Sequence, residues 1–185
     1  MVNLSYSAMC SLDGYVADAE GNFDWAMPDG EVHGFANNLE RDVGMHLYGR
    51  RMYEVMAVWE TMADPDPIAE EFGRTWRRAD KVVYSTTLAA PSTPRTRIER
   101  TFDPEVVRAM KASATQDISI SGPTLATHAI AAGLVDEIHL FLCPVIIGSG
   151  LRALSADVQV DLELLEQRAF RSGVIYLRYG VRSGQ

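Results

Sequence analysis

Cysteine is scarce in this chain. There are two, Cys10 and Cys143, each inside an apolar, strand-like run, SAMCSL and HLFLCPV. Thiols so placed read as buried and free, and with no CxxC or Cys/His spacing no metal is expected. Long hydrophobic runs are missing too. No stretch approaches the roughly 20 apolar residues of a membrane span, and no basic segment followed by an apolar one opens the chain as a signal peptide would. The expectation is a cytoplasmic protein with no membrane partner. Positive charge is in deficit, with a formal net charge of −8. Phosphate contacts to nucleic acid need clustered Lys and Arg, so nucleic acid is not an expected partner. A small anionic molecule stays compatible, because the local field matters more than the total. Internal repeats and low-complexity segments are absent as well.

What is present fits one domain over 1–185, with 47% hydrophobic and 23% charged residues. A strand is predicted at 2–10, then turn-rich SLDGYVADAEGNFDW with a short extended piece at Tyr15 and Val16. Residues 29–43 read as a helix with Asp29 as N-cap. MHLYG at 45–49 reads as a strand and 50–59 as a helix, with Met52, Val55, Met56 and Trp59 at helical spacing. A loop with two prolines leads to a helix at 67–78. A strand follows at 81–86, a short strand in IERTF, and a helix at 104–114 with Pro104 in its first turn. DISISG reads as a strand, PTLATHAIAAG as a helix closed by Gly133, DEIHLFLCPVII as a strand, and GSG at 148–150 as a turn. The last segment, AFRSGVIYLRYGVR, reads as a strand pair or one long bulged strand. Strands alternating with helices imply a parallel sheet covered on both faces, and consecutive final strands imply an antiparallel edge. The fold class is therefore α/β, with a mixed sheet.

In open α/β sheets ligands bind beyond the carboxyl ends of the strands. Three strand-to-helix junctions carry anion-suited chemistry. In LYGRRMYE, Gly49 lets a ligand approach the backbone, while Arg50 and Arg51 offer forked guanidinium groups to a phosphate monoester. Cations are disfavoured at a helix start by the dipole, which argues for a function there. VVYSTTL places Ser85, Thr86 and Thr87 after a buried strand, to bind a phosphate or cap a turn. ISGPTLATH ends a strand at Ser121 and Gly122, and starts a helix with Pro123 and Thr124, as a turn or as a pyrophosphate cradle.

These junctions in this order, with SLDGYVAD, GNFDW and GLVDEIHLFLCPVIIGSG, resemble the dihydrofolate-reductase-like superfamily. Within it they are most similar to the reductase domain of bacterial riboflavin biosynthesis, over nearly the whole chain. The resemblance implies a three-layer α/β/α fold, with a mostly parallel central sheet and an antiparallel C-terminal strand. It implies NADPH as cofactor and often a homodimer, for which the apolar ATHAIAAGLV and VIYLRY are candidate faces. It puts Gly49, Arg50 and Arg51 near the 2′-phosphate or pyrophosphate, and Ser85 and Thr86 near the adenosine end. Ser121, Gly122, Pro123, Thr124 and Leu125 would run along the pyrophosphate, and Ala8 and Met9 would bring backbone groups to the nicotinamide.

The sequence also departs from the family. No PCxxC of a fused deaminase is present, so a stand-alone reductase domain is expected. Ile120 stands where the riboflavin enzymes tend to carry a substrate-holding Glu. Gly30, between Asp29 and Glu31, stands where dihydrofolate reductases carry their pterin-binding acid. In the N-terminal half, Asp13 is a candidate catalytic proton donor or simply an Asp-Gly turn residue. Asp24, Trp25 and Tyr53 are candidates for the substrate wall, with Trp25 able to stack on a flat heterocycle. The four histidines are scattered and form no constellation. The leading expectation is an NADPH-dependent reductase of a small heterocyclic or carbonyl substrate. A non-catalytic nucleotide- or flavin-binding module is the alternative.

Overall fold

The computed structural model describes residues 2–63, 66–154 and 158–182. The strands are β1 (Leu4–Ser11), β2 (Tyr15–Ala17), β3 (Val43–Gly49), β4 (Asp80–Tyr84), β5 (Thr96–Glu99), β6 (Asp117–Ser121), β7 (Glu137–Cys143), β8 (Leu151–Arg152), β9 (Leu162–Ala169) and β10 (Ile175–Val181). The helices are α1 (Gly30–Glu40), α2 (Arg50–Met56), α3 (Pro67–Arg78), α4 (Pro104–Ser113) and α5 (Pro123–Ala131), with short 3-10 turns at Asp24–Ala26 and Ala57–Glu60. Asp29, Asp66 and Asp103 cap α1, α3 and α4, each side chain accepting a backbone N–H of the first turn. Of the predicted two-proline loop, residues 64 and 65 lie outside the described residues.

Eight strands form one sheet in the order β5-β4-β3-β6-β1-β7-β10-β9. The first six are parallel. β10 runs antiparallel to both β7 and β9, so the chain ends in the expected antiparallel strands. Alternation along the strands splits the core in two. On one face Leu4, Tyr6, Leu47, Val82, Ile118, Ile120 and Ile138 pack under α4 and α5 through Val107, Leu125, Ala126, Ala129 and Ile130. On the other, Phe141 and Tyr176 meet Val32 and Phe35 of α1. On that same face Tyr48 of β3 accepts a 3.1 Å hydrogen bond from Trp76 Nε1 of α3. Each large aliphatic side chain so buried contributes roughly 1.5–3 kcal/mol. The result is the three-layer α/β/α architecture.

Three sequence expectations change. The strand predicted to reach Ile147 stops at Cys143, because Pro144 has no N–H to continue a ladder. β9 begins at Leu162, ahead of the predicted segment. It is the sheet's edge, and Leu164 and Leu165 are exposed, so its pattern carries no inward alternation. The apolar runs proposed as dimer faces are only partly on the surface, with His128, Ala131 and Ile175 exposed. Leu125, Ala126, Ala129, Ile130, Leu134, Val135 and Tyr176 are all buried within this one chain.

The antiparallel end is locked by a buried polar chain. Arg178 of β10 donates twice to Glu137 of β7, at 2.7 and 2.8 Å. Burial keeps His139 below its ordinary value, hence neutral. Its Nε2 then donates to Glu137 at 3.0 Å, and its Nδ1 accepts from Tyr176 at 3.2 Å. Led by the Arg178 hydrogen bonds, these partners pull the Glu137 carboxyl down to about 2 from 4.5. Its stabilising contribution is complete above the ordinary value and disappears as pH falls from 4.5 toward 2. Glu137→Gln should lower stability by about 2 kcal/mol at neutral pH and flatten this part of the acid limb. Urea unfolding between pH 7 and pH 2 measures both.

Candidate functional site at the carboxyl edge of the sheet

The parallel strands β1, β3, β4, β6 and β7 all end at one edge, and the three predicted junctions lie there. The β1–β6 ladder stops at Tyr6 opposite Ile120. β1 continues to Ser11 paired with β7 alone. Beyond Tyr6 the two central strands part, and the β6-facing side of Ala8 and Met9 is left without a strand partner. α5 opens at the head of this slot. Gly122 holds φ +93°, a conformation that suits only glycine. Pro123 fills the first helical position, where its missing N–H costs nothing. No side chain caps this helix start. Thr124 is exposed, whereas the Leu125 side chain is in the core, so Leu125 has only backbone to offer a ligand.

α2 begins beside α5. A Cβ placed on Gly122 would lie 3.5 Å from Met52 Cβ. Gly49 precedes α2 with open space where a Cβ would sit. Arg50 reaches across to the β4 loop, donating to Thr87 Oγ1 at 2.9 Å and to Glu54 at 2.7 Å. Arg51 is exposed. The Ser85 hydroxyl is spent on shape, because it accepts the amides of Thr87 and Leu88 at 3.2 and 3.0 Å. Thr86 remains exposed. Arg100, which no sequence pattern singled out, braces this loop through the carbonyls of Ser85 and Leu88 at 2.9 and 2.8 Å.

Two substrate-side expectations need correction. Tyr53 does not line a cleft. It is 1% exposed, and its hydroxyl accepts the amides of Ser92 and Thr93 at 2.8 and 3.0 Å, anchoring the loop before β5. Asp13 is engaged by hydrogen bonds within the loops. The Ser11 hydroxyl at 2.7 Å, then the amides of Ile147 and Gly148 at 3.1 and 2.7 Å, hold its carboxyl down to about 2. A group so acidic is ionised at neutral pH. Its role is to tie the loop after β1 to the loop after β7. Gly150 tightens the same join, since a Cβ there would sit 2.1 Å from the Ala17 carbonyl oxygen. Tyr6 pins it from below by donating to the Ala153 carbonyl at 2.7 Å.

Trp25 lies beside β1. It packs in the cluster that holds Met9, Cys143 and Val145, and its Nε1 is buried with no acceptor among the described residues. Asp24 is exposed beside it. Asp29 is occupied in capping α1, and Glu31 meets the Arg171 amide at 3.4 Å and Arg168 at 3.5 Å. Ile120 is buried under α5 and presents nothing to the edge. Two surface hollows, of about 470 and 320 Å3, lie away from this edge, at the start of β1 and α4's end and between α5 and residues 158–162.

A three-layer α/β protein with a parted central strand pair, a glycine-led helix start and nearby arginines is of the dihydrofolate-reductase-like class. The chain belongs to the RibD C-terminal domain family, whose model matches residues 3–176. It is 28% identical over 172 residues to the uncharacterized protein YyaP of Bacillus subtilis, covering 91% of this chain and 89% of that one. A putative riboflavin biosynthesis protein from Shewanella sp. PV-4 shares the fold at a TM-score of 0.76 and 17% identity, covering 99% of this chain and all of the other. Dihydrofolate reductase from Enterococcus faecalis, complexed with NADP(H), shares it at 0.63 and 12% identity, covering 98% and 97%.

Two variants separate shape from chemistry. Tyr53→Phe strands two loop amides and should cost about 1–3 kcal/mol of stability, measured by thermal unfolding, with nucleotide affinity unchanged. Asp13→Ala should speed amide hydrogen exchange at Ile147 and Gly148, leaving exchange in β4 and β5 as it was.

Proposed function

We propose that this chain is an NADPH-dependent reductase of a small heterocyclic or carbonyl compound. The observation that carries the reading is the slot where β1 and β6 part, headed by the uncapped start of α5 and flanked by Arg50 and Arg51. The residues present fit a dinucleotide. The amides of Thr124 and Leu125 face no side-chain cap and suit a pyrophosphate. Arg50, beside Thr87, suits a ribose phosphate. The backbone of Ala8 and Met9 suits a planar carboxamide ring. When bound, the cofactor supplies the two electrons of the reduction.

The chain's own residues then have limited work. They orient the two reactants and exclude water. Trp25, which packs beside Met9 and Val145, is suited to lie against a flat acceptor. Asp24, exposed at the same turn, is the substrate-side carboxylate left uncommitted by the loop contacts. With Asp13 held ionised, the proton that completes the reduction comes from solvent. The membership in a family with reductase members and the shared fold support this reading.

Calorimetric titration with NADPH, and with NADH in parallel, tests it. NADPH should bind at least tenfold more tightly. Arg50→Ala should weaken NADPH about tenfold, as loss of a charge-assisted hydrogen bond does, and barely affect NADH. Folded protein that binds neither nucleotide would sink the reading.

A further inference from the structure

The last turn of α1 meets β3 through an acid and a base. Glu40 Oε2 lies 3.9 Å from His46 Nδ1, and the two side chains are 18% and 4% exposed. Glu40 Oε2 and His46 Nε2 are both buried with no hydrogen-bond partner among the described residues. The Tyr48 ring stacks on the imidazole at 5.4 Å. A buried charge without a partner is costly, so the number of protons in this contact is restricted.

The neighbouring elements bring one more charge to bear. Lys81 of β4 stands opposite His46 in the ladder and is buried. Its Nζ lies 4.1 Å over the Trp76 ring and 3.5 Å from the Arg77 carbonyl. On the other side His46 faces Ser119 of β6, which is uncharged. On α3, Arg77 donates to Glu70 and to the Trp59 carbonyl, Arg78 donates to the Arg41 carbonyl, and Arg74 is exposed. Arg41 itself is taken by Asn38 and Glu71. Asp80 pairs with Arg95, Asp117 accepts the Asn3 amide, and Asp42 is exposed. Burial raises the Tyr48 hydroxyl, so it keeps its proton. Two protons on the pair would set a second cation beside Lys81, and none would leave a buried carboxylate with no donor.

We infer that Glu40 and His46 hold one proton between them from mildly acid to neutral pH, carried by Glu40, and that this matched pair keeps the seating of α1 on β3 insensitive to pH. Burial raises the Glu40 carboxyl to about 7, while burial and then Lys81 lower His46 to about 3. By itself Glu40 would cost stability as pH rises from 4.5 toward 7, because only the folded chain keeps its proton there. His46 by itself would cost stability as pH falls from 6.5 toward 3, because only the unfolded chain takes up a proton there. Between 4.5 and 6.5 the folded chain holds one proton on Glu40 and the unfolded chain one on His46, and the two dependences cancel.

Urea unfolding of the full chain between pH 4.5 and pH 6.5 tests the pair, with each variant read as its difference from the wild type so that other titrating groups drop out. One unmatched proton changes the unfolding constant by up to about a hundredfold over this window. Relative to the wild type, Glu40→Gln should lose stability toward pH 4.5 and His46→Gln toward pH 6.5, each by at least tenfold in that constant. The double variant should run parallel to the wild type. A single variant whose profile runs parallel to the wild type, or both sloping the same way, overturns the inference. A readout that needs no variant is NMR of the labelled wild type at pH 6. The Glu40 carboxyl carbon should resonate as a protonated acid and the His46 ring as neutral imidazole. An ionised Glu40 or a charged His46 at that pH overturns the inference, whether or not the variants fold.

Discussion

β1 is paired on both sides as far as Tyr6 and on one side only after it. The architecture of the site follows from that asymmetry. A central strand buried between two helical layers cannot easily leave backbone groups unpaired. The groups of Ala8 to Ser11 that face away from β7 must then look to loops, solvent or a ligand. The parting of β1 from β6 makes room at the centre of the sheet, and the turn at Gly122 brings a helix start to the top of it. Everything polar that the site can offer a dinucleotide is arranged around this opening.

The loops bordering the opening are held by hydrogen bonds of a few polar side chains. Asp13 and Tyr6 join the β1 and β7 loops, Ser85 and Arg100 shape the β4 loop, and Tyr53 anchors the segment before β5. Several of these residues are the types that sequence reading treats as chemical candidates. Here their hydrogen-bonding capacity is consumed by backbone amides and carbonyls. Among the described residues, the uncommitted groups at this edge include the amides at the start of α5, Arg51, Thr86, Asp24 and the indole N–H of Trp25. That remainder is a better guide to chemistry than the full set of polar residues.

Electrically the edge has two halves. Arginines flank the openings after β3 and β4, and carboxylates populate the loops after β1. The family relationship accounts for the fold. The absence of a carboxylate at Ile120, now seen to be buried in the core, separates this chain from the riboflavin-type pattern without itself shaping the acceptor surface.

The sequence by itself determined the alternation of strands and helices, the capping of α1 by Asp29, the Gly122-Pro123 turn and the order of the three junctions. Each of these is a local matter of periodicity, turn chemistry or missing N–H groups, and local signals survive in the linear chain. It could not show that Asp13, a catalytic candidate, and Tyr53, a substrate-wall candidate, hold loops together, because their partners are 134 and 39 residues away in sequence. Nor could it distinguish the apolar helix 123–131 from a dimer face, since burial by one's own sheet and burial by a partner leave the same pattern. The end of β7 at Pro144, the edge position of β9 and the gap between β1 and β6 were decided only when strands from distant parts of the chain took their places. Register and edge are properties of neighbours, and the chain does not state its neighbours.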